Sequence, residues 1–242
     1  MTMQETLEEI WSQNYIAELP NWVKERGFSF SENHMAKNVL ITGFNPSFRS
    51  SDVINCQGFS HSFNFQNILE KPKWDNYWGS LKKIIYDPLS NIDLRSQTAY
   101  LDLFYFRERT QILFKNEIFK SKEGIQFAVD QLKLTQYIVE NIIKPKIIIV
   151  KNRESAAYWG KYANDGIVWM GYQLEHLDNM PCGDLYKISG LINSSERISP
   201  EIQESNLIDS KILFTHHINQ YTSKLKRPTA LLVSELLEDC LV

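Results

Sequence analysis

The run Ile147–Val150 constrains the fold of this chain more than any other stretch of its sequence. All four of its residues are β-branched, and such side chains favour a strand that is buried on both faces. Strands of this kind are typical of the centre of a parallel sheet, which is covered on both sides. The run therefore predicts a central strand in a mainly parallel sheet.

Other segments of the chain have the patterns of strands and helices that would surround this run. Further strands are predicted at residues 39–41, 98–106 and 211–215, and helices at 2–19, 74–86, 122–143, 153–162 and 229–242. Residues 166–192 are punctuated by glycine and predict an insertion of extended hairpins. Strands that alternate with helices predict a three-layer α/β/α sandwich around a mainly parallel sheet of about four strands.

Composition limits what such a protein can be. The 242 residues, 43% of them hydrophobic, can bury a sizeable core, and because no linker-like stretch divides them we expect one domain over residues 1–242. The formal net charge of −3 excludes a globally basic surface, so a nucleic-acid partner would need a local basic patch.

The cysteines and the chain start bear on location and cofactors. Cys56, Cys182 and Cys240 form neither a zinc pattern nor a disulfide framework, which is typical of a reducing compartment. The start carries no secretory signal pattern, and no apolar run reaches membrane-spanning length. We therefore expect a cytoplasmic monomer with no metal, no cofactor and no membrane partner.

A loop of turn-forming residues follows the strand predicted at 39–41. It contains Gly43, Asn45, Pro46 and Ser47, which break the apolar run. Loops at the carboxyl ends of strands line the ligand crevice of open α/β sheets. Asn45 is therefore expected to project into a pocket, although an Asn-Pro pair after a strand is also compatible with an ordinary turn.

Several segments together resemble the uracil-DNA glycosylase superfamily. Residues 43–47, Gly-Phe-Asn-Pro-Ser, are similar to the first motif of that family, especially to the Gly-x-Asn-Pro-Gly of its mismatch-specific uracil/thymine and single-strand-selective branches. Residues 215–219, Thr-His-His-Ile-Asn, occupy the place of the second motif, which is usually His-Pro-Ser-Pro or Asn-Pro-Ser. Residues 144–150 resemble the third core strand, and 102–110 fall at the middle loop. The resemblance runs in order from residue 38 to about 227.

This resemblance implies an enzyme of base-excision repair that hydrolyses the N-glycosidic bond of a damaged or mispaired base of the uracil type in single- or double-stranded DNA. Asn45 would position the attacking water, and His217 would donate a hydrogen bond to the departing base. Phe59, or otherwise Phe65, would stack on the extruded base, although both are also compatible with a core position. The implied base-binding residues are Gly43, Phe44, Phe59, Phe65 and Asp102.

Asp102 lies near the position where many members of that family have an Asn or Thr that reads the edge of the base. An ionised carboxylate only accepts hydrogen bonds, so it would be repelled by O4 of uracil and attracted to an exocyclic amino group. We therefore expect plain uracil to be disfavoured. A buried Asp102 that pairs with Arg107 or Arg109 is an equally open interpretation.

The loop after His217 is the expected DNA-contacting surface. By resemblance Tyr221, four positions beyond His217, would be the wedge that enters the duplex. Three cations follow it, and no acidic residue occurs between residues 215 and 230. The alternative is that these cations solubilise the start of the last helix. The implied DNA-binding residues are Ser47, Asn219, Tyr221, Lys224, Lys226 and Arg227.

Other classes of function stay open from the sequence. Because the second motif lacks the proline of the family, the chain could be an inactive member that binds nucleic acid, a free base or a nucleotide. A third interpretation is an unrelated hydrolase that uses Asn45 and His217 on a small nucleoside.

Overall fold

The computed structural model describes residues 2–32, 34–48 and 59–241. Its strands are β1 Phe28–Ser31, β2 Val39–Gly43, β3 Ser60–Phe63, β4 Tyr86–Asp87, β5 Ile92–Asp93, β6 Thr98–Asp102, β7 Ile147–Val150, β8 Tyr172–Met180, β9 Gly183–Leu191 and β10 Lys211–Thr215. Its α-helices are α1 Met3–Trp11, α2 Asn21–Arg26, α3 Phe65–Glu70, α4 Asn76–Ile85, α5 Gln111–Leu113, α6 Lys122–Tyr137, α7 Ala156–Trp159 and α8 Ala230–Leu241.

The main sheet has six strands in the order β6-β2-β7-β10-β9-β8. Strands β6, β2, β7 and β10 run parallel, with β7 between β2 and β10, whereas β9 and β8 are antiparallel additions. The mixed α/β class and a mostly parallel sheet are thereby confirmed, but the predicted count of about four strands was wrong. The hairpin predicted within residues 166–192 is formed by β8 and β9. Strand β9 pairs with β10, so the hairpin extends the main sheet.

Helices contact both faces of the main sheet. Successive strand residues point to opposite faces, and two separate hydrophobic clusters contain them. Leu40 and Ile148 belong to the cluster that includes residues of α1 and α6, whereas Ile41 and Ile149 belong to the cluster with residues of α4 and α8. The strands are therefore buried on both sides, as their unbroken apolar sequences predict.

A second, two-stranded parallel sheet stands beside the start of the loop that follows β6. It joins β1 to β3, and the backbone N–H of Ser29 donates to the carbonyl of Tyr105 at 2.9 Å. The strand β1 was not predicted from the sequence, and β3 was expected only as a pocket wall because polar residues interrupt its aromatic ones. Pairing with β1 supplies the backbone hydrogen bonds that the sequence pattern does not reveal.

The described helices depart from the predictions mainly at their ends. The helix predicted over residues 2–19 stops at Trp11, and a 3₁₀ segment, Asn14–Glu18, follows it. Helix α6 continues as a π-helical turn, Ile138–Ile143, and then stops at Lys144, which has a left-handed φ of 51°. None of the described helices is long and apolar enough to span a membrane. Cys182 and Cys240 are free thiols, and Cys56 lies outside the described residues.

Candidate active site

Chemically active side chains meet at the carboxyl edge of the four parallel strands. Asn45 follows β2, Asp102 ends β6, Lys151 follows β7, and His217 follows β10. Backbone hydrogen bonds join the loops: the N–H of Lys151 donates to the carbonyl of Thr42 at 3.1 Å. Because parallel strands end at one edge, residues that are far apart in sequence are brought together there.

A pocket of about 310 Å³ opens at this edge. Its polar lining includes Asn45, Ser47, Asp102 and Arg107, and its aromatic lining consists of Phe63, Tyr77, Trp78 and Tyr100. Small-molecule sites typically occupy about 300–1,000 Å³, so this pocket suits a small ligand. Pockets of about 510 and 800 Å³ lie elsewhere on the described surface, but neither includes any of the strand-end residues Asn45, Asp102, Lys151 or His217.

The side-chain amide of Asn45 is fixed by the loop that follows β6. Its Nδ2 donates to the carbonyls of Glu108 at 2.7 Å, Pro46 at 2.8 Å and, more weakly, Phe106 at 3.4 Å. Carbonyl oxygens can only accept hydrogen bonds, so the orientation of the amide is determined by its neighbours. Among the described residues no donor is bonded to Oδ1, and Asn45 lines the pocket.

A hydrogen-bonded chain of side chains runs along the pocket wall. The ammonium group of Lys151 donates to the Tyr77 hydroxyl at 2.7 Å, the hydroxyls of Tyr77 and Tyr100 are 2.6 Å apart, and Tyr100 donates to Oδ1 of Asp102 at 2.8 Å. Lys151 is 6% exposed and Asp102 is 8% exposed. The chain therefore links a buried cation to a buried carboxylate through two phenol groups.

These contacts set the charge states of the site. Burial raises the pKa of Asp102 to about 6, while the positive charge of Lys151 and the hydrogen bond from Tyr100 oppose that rise. Partial burial and the charge of Lys151 both lower the pKa of His217. At neutral pH the site therefore combines an ionised Asp102 with a neutral His217.

Gly43 makes room for Asp102. A Cβ atom on Gly43 would lie 1.9 Å from Oδ1 of Asp102 and 2.6 Å from the hydroxyl oxygen of Tyr100. Both distances are far below van der Waals contact. Gly43 therefore acts by allowing the carboxylate to approach the backbone of β2, and this role differs from the direct base contact that the resemblance implies.

The predicted aromatic base-binding residues do not line the pocket. Phe44 is 6% exposed and packs against Phe104, and Phe65 is 4% exposed and packs against Trp78. Phe59 is 46% exposed and contacts Phe28 edge to face. The structure thus places Phe44 and Phe65 in the core and Phe59 on the surface just before β3, packed against Phe28. Phe63 and Trp78 provide the pocket wall instead.

The loop after β10 exposes only part of the predicted DNA-binding set. Tyr221 is 85% exposed, and Lys224 and Lys226 are also exposed. Arg227 is 9% exposed, so the prediction that it contributes to a surface cluster is corrected. It lies next to the buried Pro228, where the chain enters α8.

Asn219 and His217 also differ from their predicted roles. Oδ1 of Asn219 accepts from the backbone N–H of Tyr221 at 2.8 Å, so the side chain shapes its own loop. His217 is exposed and is not among the residues that line the pocket. The structure therefore brings Asn45 and Asp102 into one pocket and leaves His217 outside its walls.

Sequence reasoning missed Lys151, Tyr77 and Tyr100. A signal for Lys151 was present, since a lysine directly follows the most strongly predicted strand, at the edge where ligands bind. Pairing of Asp102 with Arg107 or Arg109 was the alternative to contact with a base; the described ion pairs join it to neither, and Lys151 is the cation that acts on its pKa. Tyr77 and Tyr100 carried no motif, because their patterns are those of a helix face and a buried strand.

Gly43→Ala tests the close approach of Asp102 to β2. We expect it to destabilise the protein by about 1–3 kcal/mol, the usual effect of overpacking a filled site, measured by urea unfolding. The matched control is Gly79→Ala in α4, where the nearest atom to a new Cβ lies at 3.9 Å. That change should stabilise the helix by about 0.5–1 kcal/mol. Equal stability of Gly43→Ala and the wild type would contradict the packing described.

Lys151→Met tests the electrostatic link to Asp102. The ammonium charge of Lys151 is the main interaction that stabilises the ionised form of Asp102 against burial. Without it the pKa of Asp102 should rise well above 6. The measurement is a ¹³C NMR titration of the Asp102 carboxyl carbon. Lys161→Met is the control, because Lys161 pairs with Asp184 at 2.8 Å, outside the pocket, and should leave the titration unchanged. An unaltered midpoint in Lys151→Met would contradict the link.

Comparison with known proteins leaves the family of this chain open. Within the described residues no group of three or more histidine, cysteine or acidic side chains could hold a metal ion. The chain matches no protein-family model, no curated protein and no solved structure. The resemblance to the uracil-DNA glycosylase superfamily therefore stays a prediction from residues 38–227.

Proposed function

We propose that this chain is a DNA glycosylase-like protein that takes an extruded damaged or mispaired base into the pocket at the strand ends and hydrolyses its N-glycosidic bond. The proposal includes the three-layer α/β/α sandwich of the uracil-DNA glycosylase superfamily, with helices on both faces of the sheet. The observation that carries it is the convergence of Asn45 and Asp102 in one small pocket with an aromatic wall.

The pocket has the properties that an extruded base requires. A base that leaves the stack loses its neighbours, and aromatic side chains replace them. Phe63 and Trp78 lie with ring centroids 5.6 Å apart on the pocket wall, and Tyr100 lies 5.1 Å from Trp78. Polar groups opposite them can bind the base edge. This arrangement of an apolar wall and a few polar groups supports recognition of a planar heterocycle.

The chemistry follows from the charges that develop during bond cleavage. The sugar becomes cationic and the departing base becomes anionic, so the site must orient a water and stabilise negative charge on the base. Oδ1 of Asn45 accepts a hydrogen bond from the water and orients it, but an amide cannot remove its proton. Arg107, which lines the pocket, stabilises the leaving base electrostatically. His217 can donate a hydrogen bond to the departing base only if the loop after β10 moves toward the pocket.

The DNA is proposed to lie against the exposed loop after β10. Tyr221 is 85% exposed, and stacking of an aromatic ring on a base contributes about 1–3 kcal/mol. Lys224 and Lys226 supply local positive charge on a chain whose net charge is −3. These three residues support a DNA-facing surface in the loop after β10, at the same edge of the sheet as the pocket.

The second candidate is a protein that binds a base or nucleic acid without cleaving it. The position of His217 outside the pocket wall favours this alternative, since the residue expected to assist the leaving group does not face it. A gel assay on uracil-containing single- and double-stranded oligonucleotides separates the candidates. Abasic sites support the glycosylase, binding without cleavage supports the second candidate, and activity on free nucleosides alone supports a nucleoside hydrolase.

Asn45→Ala tests the proposed orientation of the water. Loss of that hydrogen bond should reduce excision at least about 100-fold, because misplacing a reacting group has effects of that size. Excision is measured as abasic-site formation, and unfolding midpoints check the fold. Asn38→Ala is the control, since its amide contacts Gln97 at 2.9 Å at the opposite end of the sheet. Wild-type excision by Asn45→Ala would remove Asn45 from the mechanism.

The double variant Lys224→Ala/Lys226→Ala tests the DNA surface. Each lost phosphate contact should lower the slope of log affinity against log salt by about 0.9 on a duplex. Fluorescence anisotropy at several salt concentrations measures this slope. The control is Lys120→Ala/Lys122→Ala, which removes two exposed lysines near the start of α6. The control should keep the wild-type slope, and if Lys224→Ala/Lys226→Ala keeps it too, DNA does not lie on this loop.

A further inference from the structure

The hydrogen-bonded chain that ends on Asp102 has a single direction. A lysine ammonium group can only donate, so the Tyr77 oxygen must accept from Lys151. Tyr100 uses its one hydroxyl hydrogen to donate to Asp102. The hydrogen between the two tyrosines therefore belongs to Tyr77. Every hydrogen in the chain points toward the carboxylate.

The groups at the two ends of the chain agree with Asp102 as an ionised acceptor. The Lys151 ammonium group donates at one end, and the Asp102 carboxylate accepts from Tyr100 at the other, so the negative charge is compensated by a nearby positive charge. Lys151 also lies over the rings of Tyr77 and Tyr100, with Nζ at 4.4 and 5.2 Å from their centroids, which keeps its charge beside the chain.

Both oxygens of Asp102 can still accept a hydrogen bond from a ligand. Oδ1 accepts from Tyr100 and keeps a second lone pair, and among the described residues no donor is bonded to Oδ2. Asp102 lines the pocket although it is only 8% exposed. An ionised carboxylate in this position can accept two hydrogen bonds from one planar ligand edge.

We propose that the pocket selects a base whose edge presents two adjacent N–H donors to Asp102, which among the common bases is the N1–H and N2–H₂ edge of guanine. The inference rests on the proposed function, because it assumes that the pocket receives a base, and it names the class of that base. A damaged guanine that retains both groups belongs to the same class.

Other bases meet this carboxylate less well. Uracil and thymine present one N–H between two carbonyl oxygens, so one acceptor would face the carboxylate. Hypoxanthine keeps N1–H but lacks the amino group.

The test compares deoxyguanosine with deoxyinosine, which differ only in the 2-amino group, and with deoxyuridine. Isothermal titration calorimetry on the full chain at neutral pH measures each affinity. We expect deoxyguanosine to bind about 5- to 150-fold more tightly than deoxyinosine, the range that one good base-edge pair provides. Asp102→Asn should abolish this preference, and Tyr77→Phe, which breaks the chain without removing the ring, should reduce it.

Asp184→Asn is the matched control, since Asp184 pairs with Lys161 outside the pocket, and it should keep the preference. Equal or tighter binding of deoxyinosine or deoxyuridine by the wild type would overturn the inference, as would no binding of any of the three. Cleavage of uracil-containing oligonucleotides without selective deoxyguanosine binding would sink the inference and leave the proposed function standing. Selective binding of deoxyguanosine without cleavage of any oligonucleotide would support the inference and contradict the proposed glycosylase function.

Discussion

The buried carboxylate of Asp102 is the constraint around which this site is arranged. An ionised group removed from water is unfavourable by several kcal/mol unless charge and hydrogen bonds compensate it. Compensation comes from Lys151, itself 6% exposed, through Tyr77 and Tyr100. Removing one member of such a buried pair typically destabilises a protein by about 3–5 kcal/mol. The same contacts that stabilise the buried carboxylate also hold it as a fixed acceptor, so the stability of the fold and the proposed recognition of a base would depend on one network.

The topology explains why this network forms at one edge. Asp102, Lys151 and Asn45 come from three neighbouring parallel strands, and β7 lies between β2 and β10. Each of these residues lies at the end of its strand or within two residues of it, so the strand itself places the side chain in the shared crevice. Gly43 then allows Asp102 to come close to β2. A rigid sheet therefore positions the polar groups, while the more exposed loop after β10 carries the residues that we propose contact DNA.

The sequence was most informative where one pattern decides the local structure. The β-branched run Ile147–Val150 indicated the central strand, and the turn residues around Asn45 indicated a loop that reaches a pocket. It was least informative where partners come from distant segments. The pairing of β1 with β3, the packing of Phe44 and Phe65 into the core, and the extension of the sheet by β8 and β9 depend on tertiary contacts. Lys151 stands at the end of the most strongly predicted strand, but the sequence does not reveal its partner, because Tyr77 comes from a distant helix.

A crystal structure of the protein with bound deoxyguanosine tests the central claim most directly, namely that a base enters the pocket at the carboxyl edge and is read by Asp102. The account predicts the base plane against Phe63 and Trp78, with N1 and N2 within hydrogen-bond distance of the Asp102 carboxylate and the deoxyribose directed toward Asn45. A nucleoside bound with its sugar or O6 facing Asp102, or bound in another pocket, would contradict it.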